Sequence, residues 1–196
     1  MLRVEKLKLN SPKVSIEKIE VGSSDVVKIE GASGSGKSSL MLALMGLKKF
    51  ECEVFSFEGR PVSHLNPEKD DMAFISQFHI NSDDTLKEYI QTIFSYKKNK
   101  SKSYTPWMLE ELHKQDFLER AVNTLSGGEK QLVALSILEA LSPKLVLIDE
   151  VFSSMDSDTE KDVWRVMEDW FRKRAVLYTA HHSVSLDNIK SKTIEL

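Results

Sequence analysis

The chain has 196 residues, 41% hydrophobic and 29% charged, with a formal net charge of −3. That length carries one domain with a substantial core, and the high apolar fraction with low net charge excludes a disordered chain. The slightly acidic balance argues against bulk nucleic acid as a partner. A single cysteine, Cys52, excludes an internal disulfide or a cysteine zinc site and fits a reducing compartment.

The N-terminus alternates charged and apolar residues, which is unlike a signal peptide. Over 2–21, Leu2 and Val4, Leu7 and Leu9, Val14 and Ile16, and Ile19 and Val21 alternate with polar residues. This predicts short antiparallel strands with a turn at Ser11-Pro12. A strand over 26–30 runs into a Gly/Ser-rich loop and then an apolar helix ending near Gly46. The longest apolar stretch, 40–47, holds a glycine and spans under half of the roughly 20 residues a membrane helix needs. Strands are predicted at 54–57, turned by 58–61, and at 72–75. Leu86, Tyr89, Ile90, Ile93 and Phe94 share one helix face, read as core. The basic run 97–102 reads as a solvated loop. A helix is predicted over 107–122 with Pro106 at its first turn, and another over 129–141 that stops before Pro143. The all-apolar run 145–148 predicts a strand buried on both faces. A helix over 158–173 should bury Val163, Met167, Trp170 and Phe171, and strands follow at 175–180 and 193–196.

Gly31-Ala32-Ser33-Gly34-Ser35-Gly36-Lys37-Ser38 lies between a predicted strand and a predicted helix, followed by Ser39. This is the spacing of a phosphate-binding loop in its required context. Glycines let successive N–H groups turn inward as an anion nest, and the helix points its positive end at the same place. Lys37 would neutralise the β- and γ-phosphates and Ser38 would ligate Mg²⁺. Asp149-Glu150 closes the strand 145–148. Ligands of open α/β sheets sit at the carboxyl ends of strands, so Asp149 is placed to hold Mg²⁺ and Glu150 to polarise a water.

Leu125-Ser126-Gly127-Gly128-Glu129 precedes a helix. Ser126 and Glu129 suit a capping box, but a cap alone has no need of Gly127 and Gly128. Here the chain resembles the ATP-binding-cassette (ABC) ATPases, whose signature is LSGGQ or LSGGE. The resemblance extends, in order, to Gln77, to Ser153-Ser154-Met155-Asp156 and to His181, which fits the usual register better than its neighbour His182. It implies an α/β fold of the P-loop NTPase type: a mixed β-sheet core, an antiparallel β-subdomain and a helical insert at roughly 80–135, all in one domain over 1–196. It further implies ATP and Mg²⁺ as ligands. Lys37 and the loop amides would hold phosphate; Ser38, Gln77 and Asp149 would organise the metal. Glu150 would position the attacking water and His181 would hold the γ-phosphate. Ser126, Gly127 and Gly128 of a second cassette would close the site head to tail, with Asp156 at that interface. The expected partner is a separate membrane-spanning subunit, with the chain peripheral at the cytoplasmic face. A non-transport ABC ATPase that remodels a soluble assembly is the alternative.

Some family features are missing. No aromatic precedes Gly31, so nothing there can stack on adenine, and weak ATP/GTP discrimination is expected. Val151 stands where proline is usual. Leu132 and Ser136 stand where arginine is usual, so surface or interface ion pairs are expected to be lost. The insert between Gln77 and Leu125 is too short for the coiled coils of the chromosome-maintenance and DNA-repair relatives. A single cassette also excludes the translation-factor class.

Overall fold

A computed structural model describes residues 1–67, 69–76, 80–96, 106–179 and 191–196. Strands β1 (Leu2–Asn10) and β2 (Lys13–Val21) form an antiparallel hairpin whose register runs from Leu2 opposite Val21 to Asn10 opposite Lys13. Their apolar alternation changes phase at Lys6, where φ is 51°, and both ends of the ribbon thereby bury apolar side chains. Strand β4 (Val54–Phe57) pairs with the other edge of β1, and β5 (Arg60–Pro61) with β4. The sheet order is β2-β1-β4-β5.

A second sheet is parallel throughout. It joins β3 (Val26–Glu30), β6 (Met72–Ser76), β7 (Leu145–Asp149), β8 (Ala175–Thr179) and β9 (Ser191–Glu195) in the order β6-β7-β8-β3-β9. Every residue of β7 and β8 is buried, as expected for parallel strands covered on both faces. Helix α1 (Lys37–Leu44) follows β3 and contacts β7. Leu40, Met41 and Leu44 share one core with Val27 and Ile29 of β3, Leu145 and Leu147 of β7, and the hairpin residues Leu2, Leu7 and Ile19. Antiparallel and parallel pairing are thus segregated into two sheets of one unit, Met1–Ser76, Pro143–Ser153 and Phe171–Leu196.

The other unit comprises Gln77–Ser142 and Ser154–Trp170. Its helices are α2 (Leu86–Tyr96), α3 (Trp107–Glu111), α4 (Gly127–Leu141) and α5 (Ser157–Phe171). Leu86, Ile90 and Phe94 are buried, in accord with the core reading of that face. The single helix expected over 107–122 is not formed. α3 stops at Glu111 because His113 adopts φ 53° and Lys114 N–H bonds back to the Leu109 carbonyl. Two 3₁₀ turns, Gln115–Glu119 and Val122–Thr124, follow and bury Phe117 under Lys114 and Arg120. Leu132 and Ser136, at the positions where arginine is usual, both lie on α4. Both side chains are buried, and Ser136 Oγ donates to the Leu132 carbonyl, 2.9 Å away. The basic run 97–102 lies outside the described residues. Among the described residues no helix is long and apolar enough to cross a membrane.

The start of α4 is a full capping box. Ser126 Oγ accepts from Glu129 N–H at 3.3 Å, and Glu129 Oε2 accepts from Ser126 N–H at 2.7 Å. Arg120 grips the same carboxylate through both terminal nitrogens, at 2.8 and 3.2 Å. The Arg120 bonds, with those from Ser126, hold the Glu129 carboxyl at about 2 instead of 4.5. A depressed carboxylate adds stability that is present above pH 4.5 and lost as pH falls through about 2. Glu129→Gln, which keeps a side chain able to complete the box, should melt below the parent at neutral pH, with the deficit shrinking across that acid window. Ser126→Ala should cost about 1 kcal/mol at neutral pH. Thermal unfolding at a series of pH values checks both.

Candidate functional site

The loop from β3 to α1 has glycine where the backbone demands it. Gly34 and Gly36 take φ values of 78° and 106°, which side chains disfavour. A Cβ on Gly31 would lie 2.5 Å from Ser35 Oγ and 2.9 Å from the Leu196 carbonyl oxygen. Gly36 caps α1 without any side-chain bond, so the first-turn N–H groups are left to an outside acceptor. Lys37 is 3% exposed. Its ammonium donates to the carbonyls of Gly31 at 2.9 Å and Ala32 at 3.1 Å. Ser35 Oγ is buried without a partner among the described residues. Ala32 and Ser33 are exposed at the loop crest. The β1–β2 hairpin lies against the loop, since a Cβ on Gly36 would meet Val14 at 2.5 Å and Pro12 at 3.0 Å. That wall is aliphatic.

The acidic pair sits at the end of β7, in the same unit. Parallel register sets Asp149 opposite Thr179, the last residue of β8. The Thr179 hydroxyl donates to Asp149 Oδ1 at 2.8 Å and accepts from Glu150 N–H at 2.9 Å. Ser38 also hydrogen-bonds the Asp149 carboxylate. Burial raises the Asp149 carboxyl above its ordinary value and the Glu150 charge adds to this, while Thr179, Ser38 and Lys37 oppose it. Glu150 takes φ 54°, a strained conformation for a residue with a side chain, and its Oε1 lies 3.9 Å from Lys37 Nζ. Lys37, Ser38, Asp149 and Glu150 are therefore brought together. Sequence reasoning missed Thr179. The signal that finds it is register, because a polar residue closing β8 falls beside Asp149 only once β7 and β8 are paired.

Ser126, Gly127 and Gly128 open α4 in the second unit. Asp156 caps α5 in that unit. Its Oδ1 accepts from Thr159 N–H at 2.9 Å and Asp158 N–H at 3.2 Å, its Oδ2 from the Thr159 hydroxyl at 2.7 Å. The Thr159 bonds lead in holding its carboxyl below the ordinary value. Gln77, His181 and His182 lie outside the described residues. Ser39 stands in the first turn of α1. Among the described residues no three His, Cys, Asp or Glu side chains converge as a metal cage. Magnesium does not require one, because it binds through one or two protein oxygens plus substrate phosphates. The adjacent Ser38 hydroxyl and Asp149 carboxylate are hard oxygen donors of that kind.

A model of the ABC transporter family matches residues 17–153. The chain is similar to the sulfate/thiosulfate import ATP-binding protein CysA of Bacillus cereus, 29% identical over 181 residues, covering 86% of this chain and 50% of that protein. It is also similar to the lipoprotein-releasing system ATP-binding protein LolD of Leptospira interrogans, 28% identical over 178 residues, covering 83% of this chain and 73% of that protein. The chain thus spans about half the length of the CysA relative. Among solved structures it superposes on an ATP-binding subunit of an ABC transporter with a TM-score of 0.83 at 22% identity, covering 100% of this chain and 85% of that one.

A raised carboxyl such as Asp149 favours folding at low pH, and its contribution declines as pH rises from 3.8 through the raised value. Asp149→Asn removes the buried charge and keeps one amide oxygen as an acceptor. The nucleotide-free variant should melt above the parent at neutral pH, with the gap closing as pH falls toward 3.8. Thr179→Val should act oppositely, costing about 1–3 kcal/mol by removing the hydroxyl that accepts from Glu150 N–H and donates to Asp149. Calorimetry of the two variants at two pH values checks the pair.

Proposed function

The chain belongs to the ABC transporter family, and from that premise we propose that it is an ATP-binding and ATP-hydrolysing subunit driving a separate membrane-spanning subunit. The observation that carries this reading is the convergence of Lys37, Ser38, Asp149 and Glu150 around an uncapped helix N-terminus. We treat the whole chain as one catalytic domain, peripheral at the cytoplasmic face of a membrane.

Each residue has a physical task. An incoming triphosphate competes for Lys37, which now leans on the Gly31 and Ala32 carbonyls. Loop amides and the α1 N-terminus receive the remaining phosphate charge. Released from Lys37, the Glu150 carboxylate can accept the proton of a water that attacks the γ-phosphorus in line as the bond to the bridging oxygen breaks. The strained Glu150 backbone is held by Thr179, which ties the aim of this carboxylate to the sheet. Mg²⁺, ligated by Ser38, Asp149 and Gln77, would offset charge building on the phosphate oxygens. His181 would hold the γ-phosphate. Ser126, Gly127 and Gly128 of a second cassette would close the site; while capping α4, Ser126 Oγ keeps its own proton free to donate. Asp156 would lie at the same interface. ATP would then draw two cassettes together head to tail, and hydrolysis would part them.

Glu150→Gln tests this reading. Turnover should fall at least about 100-fold, the usual weight of a general base. Light scattering should find a monomer without nucleotide and a dimer with Mg-ATP. A variant that titrates with ATP yet stays monomeric would remove the sandwich from the proposal. Because the wall beside Gly36 is Pro12 and Val14 rather than an aromatic ring, ATP and GTP should bind within about tenfold of each other, a gap below 1.4 kcal/mol. Competition titration measures that ratio, and a strong preference for ATP would contradict it.

A further inference from the structure

We propose that Lys48 is a second cation of the nucleotide site, acting on the phosphate chain beside Ser39; this rests on the ATP-binding reading above. Lys48 follows α1, and its side chain runs back to the start of the helix, where Nζ donates to Ser39 Oγ at 2.9 Å. Ser39 is in the same first turn as Lys37 and Ser38, whose free N–H groups make the phosphate site. The ammonium of Lys48 is therefore one hydrogen bond from the phosphate loop.

Its surroundings differ from those of several lysines of this chain that hold a carboxylate. Lys6, Lys144 and Lys192 each pair with a carboxylate, as does buried Lys28 with Glu30. Lys48 is half-buried and has a neutral hydroxyl as its hydrogen-bond acceptor, with no carboxylate in ion-pair distance among the described residues. A partly desolvated cation held to one hydroxyl gains most from an anion arriving at that hydroxyl. Lys48 also borders a cavity of about 500 Å³, together with Asn10, Lys49 and His64. Phe50 and Glu51 line it as well, and Asn10 ends β1, whose hairpin partner strand carries the Val14 that presses on Gly36. Lys37 would thus anchor the nucleotide from inside the loop and Lys48 from the first turn of α1. The second charge offsets the affinity forfeited by the absent ring.

The test is nucleotide titration of the full chain with ATP, ADP and AMP at low and high salt. Lys48→Gln is the informative change, because glutamine can still donate to Ser39 while carrying no charge. It should weaken ATP and ADP about tenfold at low salt, the factor of one partly exposed charge-assisted hydrogen bond, and flatten the salt dependence. Lys48→Arg should bind nearly as the parent does. Lys18→Met, which removes a lysine paired with Glu20 on β2, should leave binding unchanged. A Lys48→Gln chain with parental affinity would overturn the proposal, as would a Lys48→Met chain that melts lower but binds normally, since the bond to Ser39 would then be a strut. Lys37→Ala separates the two readings. If neither the parent nor this variant binds ATP, the nucleotide reading itself fails, whereas loss on Lys37→Ala without loss on Lys48→Gln sinks only the role of Lys48.

Discussion

The site depends on a buried ammonium. Lys37 is 3% exposed, and taking that charge out of water is costly unless other dipoles replace the hydration. Two carbonyls of its own loop do so, with Glu150 at 3.9 Å as the nearest countercharge. Those carbonyls can point inward only because the loop bends through glycines at positive φ, and the same bend turns N–H groups toward the mouth. The loop is thereby stable when empty and still short of negative charge. A phosphate chain would fill that deficit, as the proposed nucleotide reading requires.

The parallel sheet converts this deficit into chemistry. Pairing β7 with β8 sets Thr179 against Asp149, and one hydroxyl then serves two groups, donating to a carboxylate and accepting from the next amide. The two acids receive different environments from this. Asp149 is buried and hydrogen-bonded by Thr179 and Ser38, so its oxygens are held beside the loop. Glu150 leaves the strand in a strained conformation and carries its carboxylate toward Lys37. One residue of separation, crossed at the end of a strand, thus gives the two carboxylates different burial and different directions.

The start of α4 shows how one local motif closes its own helix end. Ser126 and Glu129 close a capping box, and Arg120 locks the same glutamate. Neither interaction uses up the Gly127 and Gly128 backbone at the helix start. Further along α4, Leu132 and Ser136 are buried, so their departure from arginine is a packing choice of this chain. Alternation and helical spacing revealed the hairpin, the buried strands and α2, because one face of each is apolar. They could not show the break after Glu111, where His113 at positive φ turns the chain while its apolar residues keep a helical rhythm.

The sequence alone marked the glycine-rich loop, the acidic pair, the signature and most of the strands and helices. Each is a local pattern in which residue type and spacing carry the chemistry. Only tertiary structure decided the strand order β6-β7-β8-β3-β9, the junction of Thr179 with Asp149 and Glu150, and the return of Lys48 to Ser39. Those contacts join residues distant in the chain or set by side-chain direction. Register and backbone reversal create them, and neither leaves a periodic mark in the sequence.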